Sequence, residues 1–471
     1  MNILMVASEA TPFAKTGGLA DVLGALPAAL QARGNKTAVV IPAYRQNQYH
    51  DEPRIAYRSL WIPLGTGYLA DILQTTERGV TFYFVDCPPL FDREGIYTSG
   101  GVDYVDNFMR FAVLSMAAVG VARYLFRPQI IHVHDWQAAL APVYVRQHFA
   151  DDPTFSGLKL LFTIHNLGYQ GVFGKEAVSQ IGLDPSIFNP EQLEFFGKLN
   201  LLKGGIAFSD AVSTVSKGYA REIQTPEYGF GLDGFLRKHG PIYGIVNGVD
   251  YIEWNPEHDP HIARNYSVDD LSGKRECKRQ LLEELGLPAG NLEQPLVGIV
   301  SRFARQKGID LIAGIASRLL EENLCLAVLG SGEPQYQAMF QHLANTYPDK
   351  VAVRIGYDIA LSHRIEAGAD IFLMPSLYEP CGLSQIYSLR YGTVPVVRAT
   401  GGLDDTIDGD TGFKFRDYSG EALFEALGTA LRVYGDKGNW AAMMRRGMRK
   451  DFSWSTAAVE YQALYERLLR V

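Results

Sequence analysis

The chain is poor in cysteine and lacks any C-x-x-C pair. Its four cysteines are far apart along 471 residues. This spacing argues against a disulfide framework and against a cysteine-based zinc site. We therefore expect a protein of a reducing compartment without a cysteine-held metal. As a separate expectation, the sequence assigns the protein no cofactor.

Targeting and membrane-spanning segments are also missing from the sequence pattern. Met1 leads directly into an apolar strand-like run, without the charged and apolar regions of a signal or transit peptide. The longest apolar stretch, 111–126, contains Arg123 and is shorter than a membrane span requires. We expect a buried helix there, no membrane partner, and a location in the cytoplasm, or in the plastid stroma if the source bears plastids.

An excess of basic residues is absent too, since the formal net charge is −8. Such a surface repels a phosphate backbone, which argues against nucleic acid as a partner. An anionic ligand would need cations gathered locally.

The chain is long, and it alternates repeatedly between strand-like and helix-like segments. A chain of 471 residues exceeds one ordinary core, so two large domains are predicted. Repeated strand–helix units indicate an α/β fold with doubly wound parallel sheets. Residues 54–86 alternate as antiparallel hairpins at one side of a sheet, and 191–208 reads as helical.

The stretch Lys15-Thr16-Gly17-Gly18-Leu19 lies where the first strand gives way to a helix. Glycines there let a ligand approach the backbone, and the first N–H groups of a helix attract anions. A tight turn that simply needs glycine is the alternative. Thr-Gly-Gly-Leu returns at 400–403, which favours a ligand site lined by both halves of the chain.

Two further strands of the first half end in polar groups. His132-Val133-His134-Asp135 closes one strand, and His165-Asn166 follows the next. The carboxyl ends of parallel strands are where open α/β sheets bind ligands, so one pocket is predicted there. A metal site on His132, His134 and Asp135 is an alternative that would make the protein a metal-dependent hydrolase.

In the second half, Arg302, Arg305 and Lys307 follow a strand and precede a helix. Three cations at such a turn suit a phosphate group, although a solvated charge cluster would look the same. Glu379 follows a later strand, where it could accept hydrogen bonds from sugar hydroxyls or compensate a helix dipole.

Gly330-Ser331-Gly332 resembles the start of a dinucleotide fingerprint, but the third glycine is missing. An NAD-dependent oxidoreductase therefore rests on a weak pattern. Two α/β domains with cations and polar groups at their strand ends suit a nucleotide-sugar donor instead.

Seven motifs resemble those of the bacterial and plastid glycogen and starch synthases, over essentially the whole length of the chain. They are KTGGLADV at 15–22, HVHDWQ at 132–137, IHNLGYQG at 164–171, VNGVD at 246–250, SRFARQKG at 301–308, YEPCGL at 378–383 and TGGL at 400–403. The resemblance implies a GT-B architecture, in which two Rossmann-like domains face a deep cleft. It implies domains at 1–245, completed by a helix at 453–471, and at 246–452.

The resemblance also implies roles for individual residues. Residues with an implied catalytic role are Lys15, His165, Arg302, Lys307 and Glu379. Residues implied to bind substrate are Gly17, Gly18, Asp135, Asn166, Asn247, Tyr357, Cys381, Gly382, Leu383, Thr400, Gly401 and Gly402. Tyr387 departs from the wider fold group, which often has a second glutamate there, so ribose recognition is left open.

The implied reaction transfers glucose from ADP-glucose to the nonreducing end of an α-1,4-glucan, such as glycogen or starch, with retention of configuration. A UDP-glucose-dependent enzyme and a catalytically inactive protein that binds glucan or nucleotide-sugar are alternatives that the residues leave open.

Overall fold

A computed structural model describes residues 1–470, and these divide into two compact units. The first unit contains 1–215, 220–248 and 454–470, and the second contains 216–219 and 249–453. Each unit is built on one large sheet with helices on both faces. The prediction of α/β domains with doubly wound parallel sheets is confirmed.

The first unit has a nine-stranded sheet. Its strands lie in the order Ile242–Gly244, Ala211–Thr214, Lys159–Ile164, Ile130–His134, Asn2–Val6, Lys36–Pro42, Val80–Asp86, Tyr68–Glu77 and Arg54–Ile62. The first seven are parallel, and the last two are antiparallel hairpin strands at one edge. The predicted hairpins at 54–86 are therefore confirmed.

The helices of the first unit are mostly short. They are Gly18–Gln31, Pro88–Phe91, Asn107–Val121 with a π-helical continuation Ala122–Phe126, Asp135–Ala138, Leu140–His148, Ala177–Gln180, Leu201–Ala207, Asp233–His239, the second half of Lys217–Glu222, and Trp454–Arg470. The last of these packs against Gly18–Gln31 through Trp454, Tyr461 and Tyr465, all buried in the same apolar core. The carboxyl-terminal helix thus belongs to the first unit.

One helical segment, Asn107–Phe126, is long and apolar enough to pass a test for membrane spans, and 72% of its most apolar window is buried inside the fold. Arg110 lies within it and is fully buried, with its guanidinium donating to the Leu90 and Ile96 carbonyls at 2.8 Å. The burial and these contacts match the predicted buried helix.

The helix predicted over 191–208 is wrong for most of its length. Glu194–Phe195 and Lys198–Asn200 pair as an antiparallel hairpin, and helix covers only Leu201–Ala207. The turn between the two strands has φ of +49° at Phe196 and +78° at Gly197. Two successive residues in the left-handed region form the kind of turn that closes a two-residue hairpin, and this turn overrides the apolar periodicity.

The second unit has a six-stranded, wholly parallel sheet. Its strands lie in the order Val351–Ile355, Cys325–Gly332, Leu296–Phe303, Ile371–Met374, Val394–Arg398 and Phe413–Phe415. Its helices are Ser272–Glu284, Ile309–Glu321, Pro334–Thr346, Ile359–Gly368, Ser384–Arg390, Gly401–Thr406, Gly420–Tyr434 and Lys437–Met448.

Two strands of this sheet run further than the sequence predicts. The strand that begins at Leu296 ends at Phe303, so Arg302 lies on the strand and not on a turn. Gly330 and Gly332 lie on its neighbour, where a Cβ would come within 1.9 Å of the Ser301 carbonyl oxygen and 2.2 Å of the Phe303 carbonyl oxygen. Close packing of two strands therefore explains these glycines without a dinucleotide.

Candidate active site

In the first unit, the loop 15–18 is fixed by a carboxylate that the sequence analysis missed. Glu9 is 3% exposed, and its side chain accepts hydrogen bonds from the Thr16 N–H, from the Thr16 hydroxyl at 3.0 Å and from the Gly17 N–H at 3.3 Å. Tyr97 donates to it at 2.9 Å. Burial raises the pKa of Glu9 above its ordinary value, against the effect of these donors.

The two glycines of the turn 15–18 have different roles, which the sequence alone does not distinguish. The Gly17 N–H points to Glu9, while Gly18 opens the helix Gly18–Gln31. Lys15 extends into solvent and pairs with Asp21 of the first helical turn at 2.7 Å. Lys15 and the start of the helix therefore form an exposed, anion-attracting edge.

Asp135 follows the strand Ile130–His134 in a strained backbone conformation. Its φ is +57°, which is uncommon for a residue other than glycine and is often found at functional sites. Its Oδ1 atom accepts the His165 N–H at 2.7 Å, so the ends of two adjacent strands are tied together. Packing around the side chain raises the pKa of Asp135 to about 7.

The imidazole of His165 lies beside that of His134, with 3.0 Å between Nε2 of His165 and Nδ1 of His134. Burial lowers the pKa of His165 to about 3, and it lowers the pKa of His132 and His134 well below the ordinary value. All three rings are therefore neutral near pH 7.

The alternative metal site on His132, His134 and Asp135 has no support in this geometry. His132 hydrogen-bonds Tyr465 at 2.8 Å and Thr163 at 2.5 Å. Nowhere in residues 1–470 do three or more histidine, cysteine or acidic side chains form a group that could hold a metal ion.

Two asparagines of the predicted site have different surroundings. Asn166 accepts the Gly168 N–H at 2.9 Å and so shapes its own turn. Asn247 is buried, and its Oδ1 atom has no hydrogen-bond partner within residues 1–470. A buried, unsatisfied acceptor is costly unless a ligand satisfies it, so Asn247 is the better candidate for contact with a sugar.

In the second unit, the predicted cation and carboxylate meet directly. The Lys307 ammonium lies 2.6 Å from Oε2 of Glu379, which is 72 positions away in sequence. The Ser376 hydroxyl donates to the same oxygen at 3.1 Å. Because both contacts use Oε2, Oε1 can accept a hydrogen bond from a sugar hydroxyl. Arg302, five positions before Lys307, is exposed, and its guanidinium lies 3.5 Å from the Gln306 side-chain oxygen, a weak contact.

Residues 381–383 form a tight loop before the helix Ser384–Arg390. Gly382 has φ of +73°, and Gln385, which sequence analysis missed, donates from Nε2 to the Cys381 and Gly382 carbonyls, both at 3.0 Å. Leu383 is the residue that precedes the helix. The hydrogen bonds from Gln385 therefore fix the backbone conformation of this loop.

The second Thr-Gly-Gly turn packs against that loop. Thr400 precedes the helix Gly401–Thr406, and the Gly402 N–H donates to the Glu379 carbonyl at 3.0 Å. A Cβ on Gly402 would lie 2.1 Å from the Cys381 carbonyl oxygen. The structure thus brings Glu379, Cys381 and Gly402 together.

Two tyrosines that the sequence singled out in the second unit have different surroundings. Tyr357 follows the strand Val351–Ile355 and is 83% exposed, so its ring is open to a stacking partner. Tyr387 stacks on Trp254 at 4.0 Å between ring centroids, with 7° between the planes. The ring of Tyr387 is therefore engaged in packing against Trp254.

The pH dependence of stability tests the surroundings of Asp135. The folded pKa of about 7 lies above the ordinary 3.8. The neutral carboxyl therefore makes its full contribution to the stability of the fold below about pH 4. This contribution is lost as pH rises through 7 and the group ionises. Three pKa units are worth about 4 kcal/mol, and partial exposure reduces this by about half. The free energy of unfolding of Asp135→Asn should therefore rise relative to that of the unmodified protein by about 2 kcal/mol between pH 4 and 8.

Thermal unfolding at several pH values measures this gain, with Asp151→Asn as a control that removes an exposed loop carboxylate. Equal pH dependence for Asp135→Asn and the unmodified protein would contradict the assignment.

Comparison with known proteins identifies relatives over the full chain. The family model for the starch synthase catalytic domain matches residues 2–238, and that for glycosyl transferases group 1 matches 288–442. A glycogen synthase of Koribacter versatilis is 51% identical over 100% of this chain and 99% of its own length. One of Geotalea daltonii is 44% identical, with 100% and 99% covered.

Two solved structures are similar to this chain over nearly its full length. The catalytic domain of starch synthase IV from Arabidopsis thaliana, bound to ADP and acarbose, superposes with a TM-score of 0.88 at 34% identity, covering 100% of this chain and 99% of that one. Sucrose-phosphate synthase from Thermosynechococcus elongatus has a TM-score of 0.62 at 19% identity, with 99% of each chain covered, which shows a shared fold.

Proposed function

This chain belongs to the family of glycogen and starch synthases, and we propose that it transfers glucose from ADP-glucose to the nonreducing end of an α-1,4-glucan with retention of configuration. Membership makes it a glycosyltransferase with GT-B domains, as the motifs predicted. The Arabidopsis structure carries ADP, which supports an adenine nucleotide as the donor's leaving group.

The Lys307–Glu379 pair is the structural feature that supports the proposal most directly. It joins a fixed cation to a carboxylate with one oxygen left for a hydroxyl. In the proposed reaction, Arg302 and Lys307 stabilise the negative charge that builds on the departing diphosphate. Glu379, His165 and Asn247 hold glucose hydroxyls.

The remaining residues act through position and backbone. Lys15 and Gly18 attract the diphosphate at a helix start, with Gly17 fixed by Glu9. The loops of 381–383 and 400–402 support the sugar and phosphate, Asp135 and Asn166 lie at the acceptor side, and Tyr357 stacks on the base. The departing phosphate accepts the proton of the attacking hydroxyl on the same face of the sugar, so no covalent intermediate is required.

Incorporation of labelled glucose into glycogen, measured in parallel from ADP-glucose and UDP-glucose, tests this function. We expect transfer from ADP-glucose at the higher kcat/KM, and undiminished transfer when a chelator is added. Binding of ADP-glucose without release of ADP in the presence of glycogen would identify an inactive binding protein instead. Preferred transfer from UDP-glucose would overturn the choice of donor.

Replacement of Tyr357 tests the base contact. Stacking of a base on an aromatic ring contributes about 1–3 kcal/mol, so Tyr357→Ala should raise KM for ADP-glucose about 5- to 100-fold. The KM for glycogen should stay within about twofold. Because Tyr357 is 83% exposed, the fold should be unaffected.

Tyr347→Ala is the matched control for this measurement, since Tyr347 is an exposed tyrosine just past the helix Pro334–Thr346. It should leave both KM values unchanged. An unchanged donor KM in Tyr357→Ala would place the base elsewhere.

A further inference from the structure

We propose that His134 is a positioning residue that fixes the tautomer of His165, so that His165 presents an N–H group, and not a lone pair, to the donor sugar. This rests on the proposed function, in which His165 contacts a glucose hydroxyl. His134 itself does not touch the substrate.

The two rings are placed by neighbouring parallel strands. His134 is the last residue of the strand Ile130–His134, and its register partner on the neighbouring strand is Thr163. His165 follows two positions after Thr163. The ring centroids are 5.2 Å apart and Nδ1 of His134 lies 3.0 Å from Nε2 of His165. One of these two nitrogens must therefore carry the proton that the other accepts.

Each neutral imidazole has one N–H, so only two arrangements fit. In the first, His134 is protonated on Nδ1 and donates to Nε2 of His165, which places the proton of His165 on Nδ1. In the second, His165 donates from Nε2, and His134 must then carry its proton on its own Nε2.

The surroundings of His134 distinguish these arrangements. Its side chain is fully buried, and its Nε2 atom has no hydrogen-bond partner within residues 1–470. The second arrangement would bury an N–H without an acceptor, whereas the first leaves only an unused lone pair. Buried orphan donors are rarer and more costly than under-used acceptors, so the first arrangement is favoured.

His132 stabilises this arrangement without joining the hydrogen bond. Its ring lies 4.0 Å from that of His134 between centroids, and both of its nitrogens are engaged, by Tyr465 and Thr163. Neither nitrogen of His132 is therefore left to partner His134. The ring of His134 is held in place by packing, and its single hydrogen bond goes to His165.

The consequence reaches the substrate through His165. With Nε2 occupied by the bond from His134, the half-buried ring of His165 offers Nδ1–H as a donor. A glucose hydroxyl would accept this hydrogen bond with its oxygen and keep its own proton for an acceptor. His165 thus discriminates for an oxygen at that position of the sugar.

Histidine-selective 15N labelling tests the tautomer directly, because protonated and unprotonated ring nitrogens differ widely in chemical shift. We expect His165 of the unmodified protein to be protonated on Nδ1. In His134→Asn, whose side-chain amide can still donate from near the former Nδ1 position, the same tautomer should persist. In His134→Leu both tautomers of His165 should be populated.

Steady-state kinetics give the second readout. His134→Leu should lower kcat/KM for ADP-glucose about tenfold to a hundredfold, with KM for glycogen unchanged, and His134→Asn should recover most of the loss. Tyr465→Phe is the matched control, because it removes a buried hydroxyl whose hydrogen bond goes to His132. It should lower thermal stability without this loss of kcat/KM.

Two results would overturn the inference. One is protonation of His165 on Nε2 in the unmodified protein, and the other is a loss in His134→Leu no larger than that in Tyr465→Phe. If the unmodified protein transfers no glucose, the proposed function fails, while the nitrogen shifts still report the tautomer independently.

Discussion

Replacement of Arg302 by alanine is expected to lower kcat for glucose transfer by about a hundred- to a thousandfold. Negative charge builds on the departing diphosphate in the transition state, and a fixed cation stabilises that charge more than it stabilises the ground state. We therefore expect KM for ADP-glucose to change much less than kcat. Parallel measurement of both constants with glycogen as acceptor checks the result.

Arg302 suits this test because its removal spares the fold. The side chain is exposed, and its contact with Gln306 is weak, at 3.5 Å. Lys307 is less suitable, because its removal would leave the Glu379 carboxylate, 6% exposed, without its ion-pair partner.

Arg305→Ala is the matched control, since Arg305 is also exposed, lies three residues further along and has a side chain that pairs loosely with Asp310, at 3.9 Å. It should retain nearly full kcat. Equal losses in the two variants would mean that general positive charge matters, and a kcat that survives Arg302→Ala would remove Arg302 from the catalytic residues.

Gly402→Ala should destabilise the second unit by about 1–3 kcal/mol and reduce glucose transfer at least tenfold. The added Cβ would lie 2.1 Å from the Cys381 carbonyl oxygen and 2.5 Å from its Cα atom. Both are backbone atoms, so the loop of 381–383 would have to move. Thermal unfolding and the transfer assay measure the two effects.

Gly314→Ala is the matched control, with an effect of opposite sign. Gly314 lies in the middle of the helix Ile309–Glu321, on its exposed face, and a Cβ there would meet nothing within 4 Å. The change should stabilise the protein by about 0.5–1 kcal/mol, because alanine favours helix more than glycine does. Full activity and stability in Gly402→Ala would show that the two loops are not packed as described.

Most of the strands were predictable because their residues carry the information locally. Buried parallel strands such as Lys159–Ile164 and Ile371–Met374 are apolar runs ended by polar or turn residues, which is the local pattern that predicts such strands. The hairpin of 194–200 was missed because a left-handed pair at Phe196 and Gly197 is decided by pairing with a neighbouring strand, which no local window contains.

The candidate site was predictable residue by residue, but its partners were not. Motifs at strand ends indicated Lys307 and Glu379 separately, since each lies at a turn where ligands bind. Glu9 and Gln385 act from buried positions outside those motifs, and His134, which lies in one of them, stood out only as a candidate metal ligand. The spacing around Glu9 and Gln385 gave no signal, and the spacing around His134 did not indicate its bond to His165.

The sequence by itself therefore determined the strand–helix alternation, the glycine turns and the family, because each depends on residues close together in the chain. Only the tertiary structure decided that Lys307 pairs with Glu379, that Glu9 holds the first glycine turn, and that His134 bonds His165. Hydrogen bonds and ion pairs act over about 3 Å in space. The register of neighbouring strands, and not distance along the chain, sets which side chains come that close.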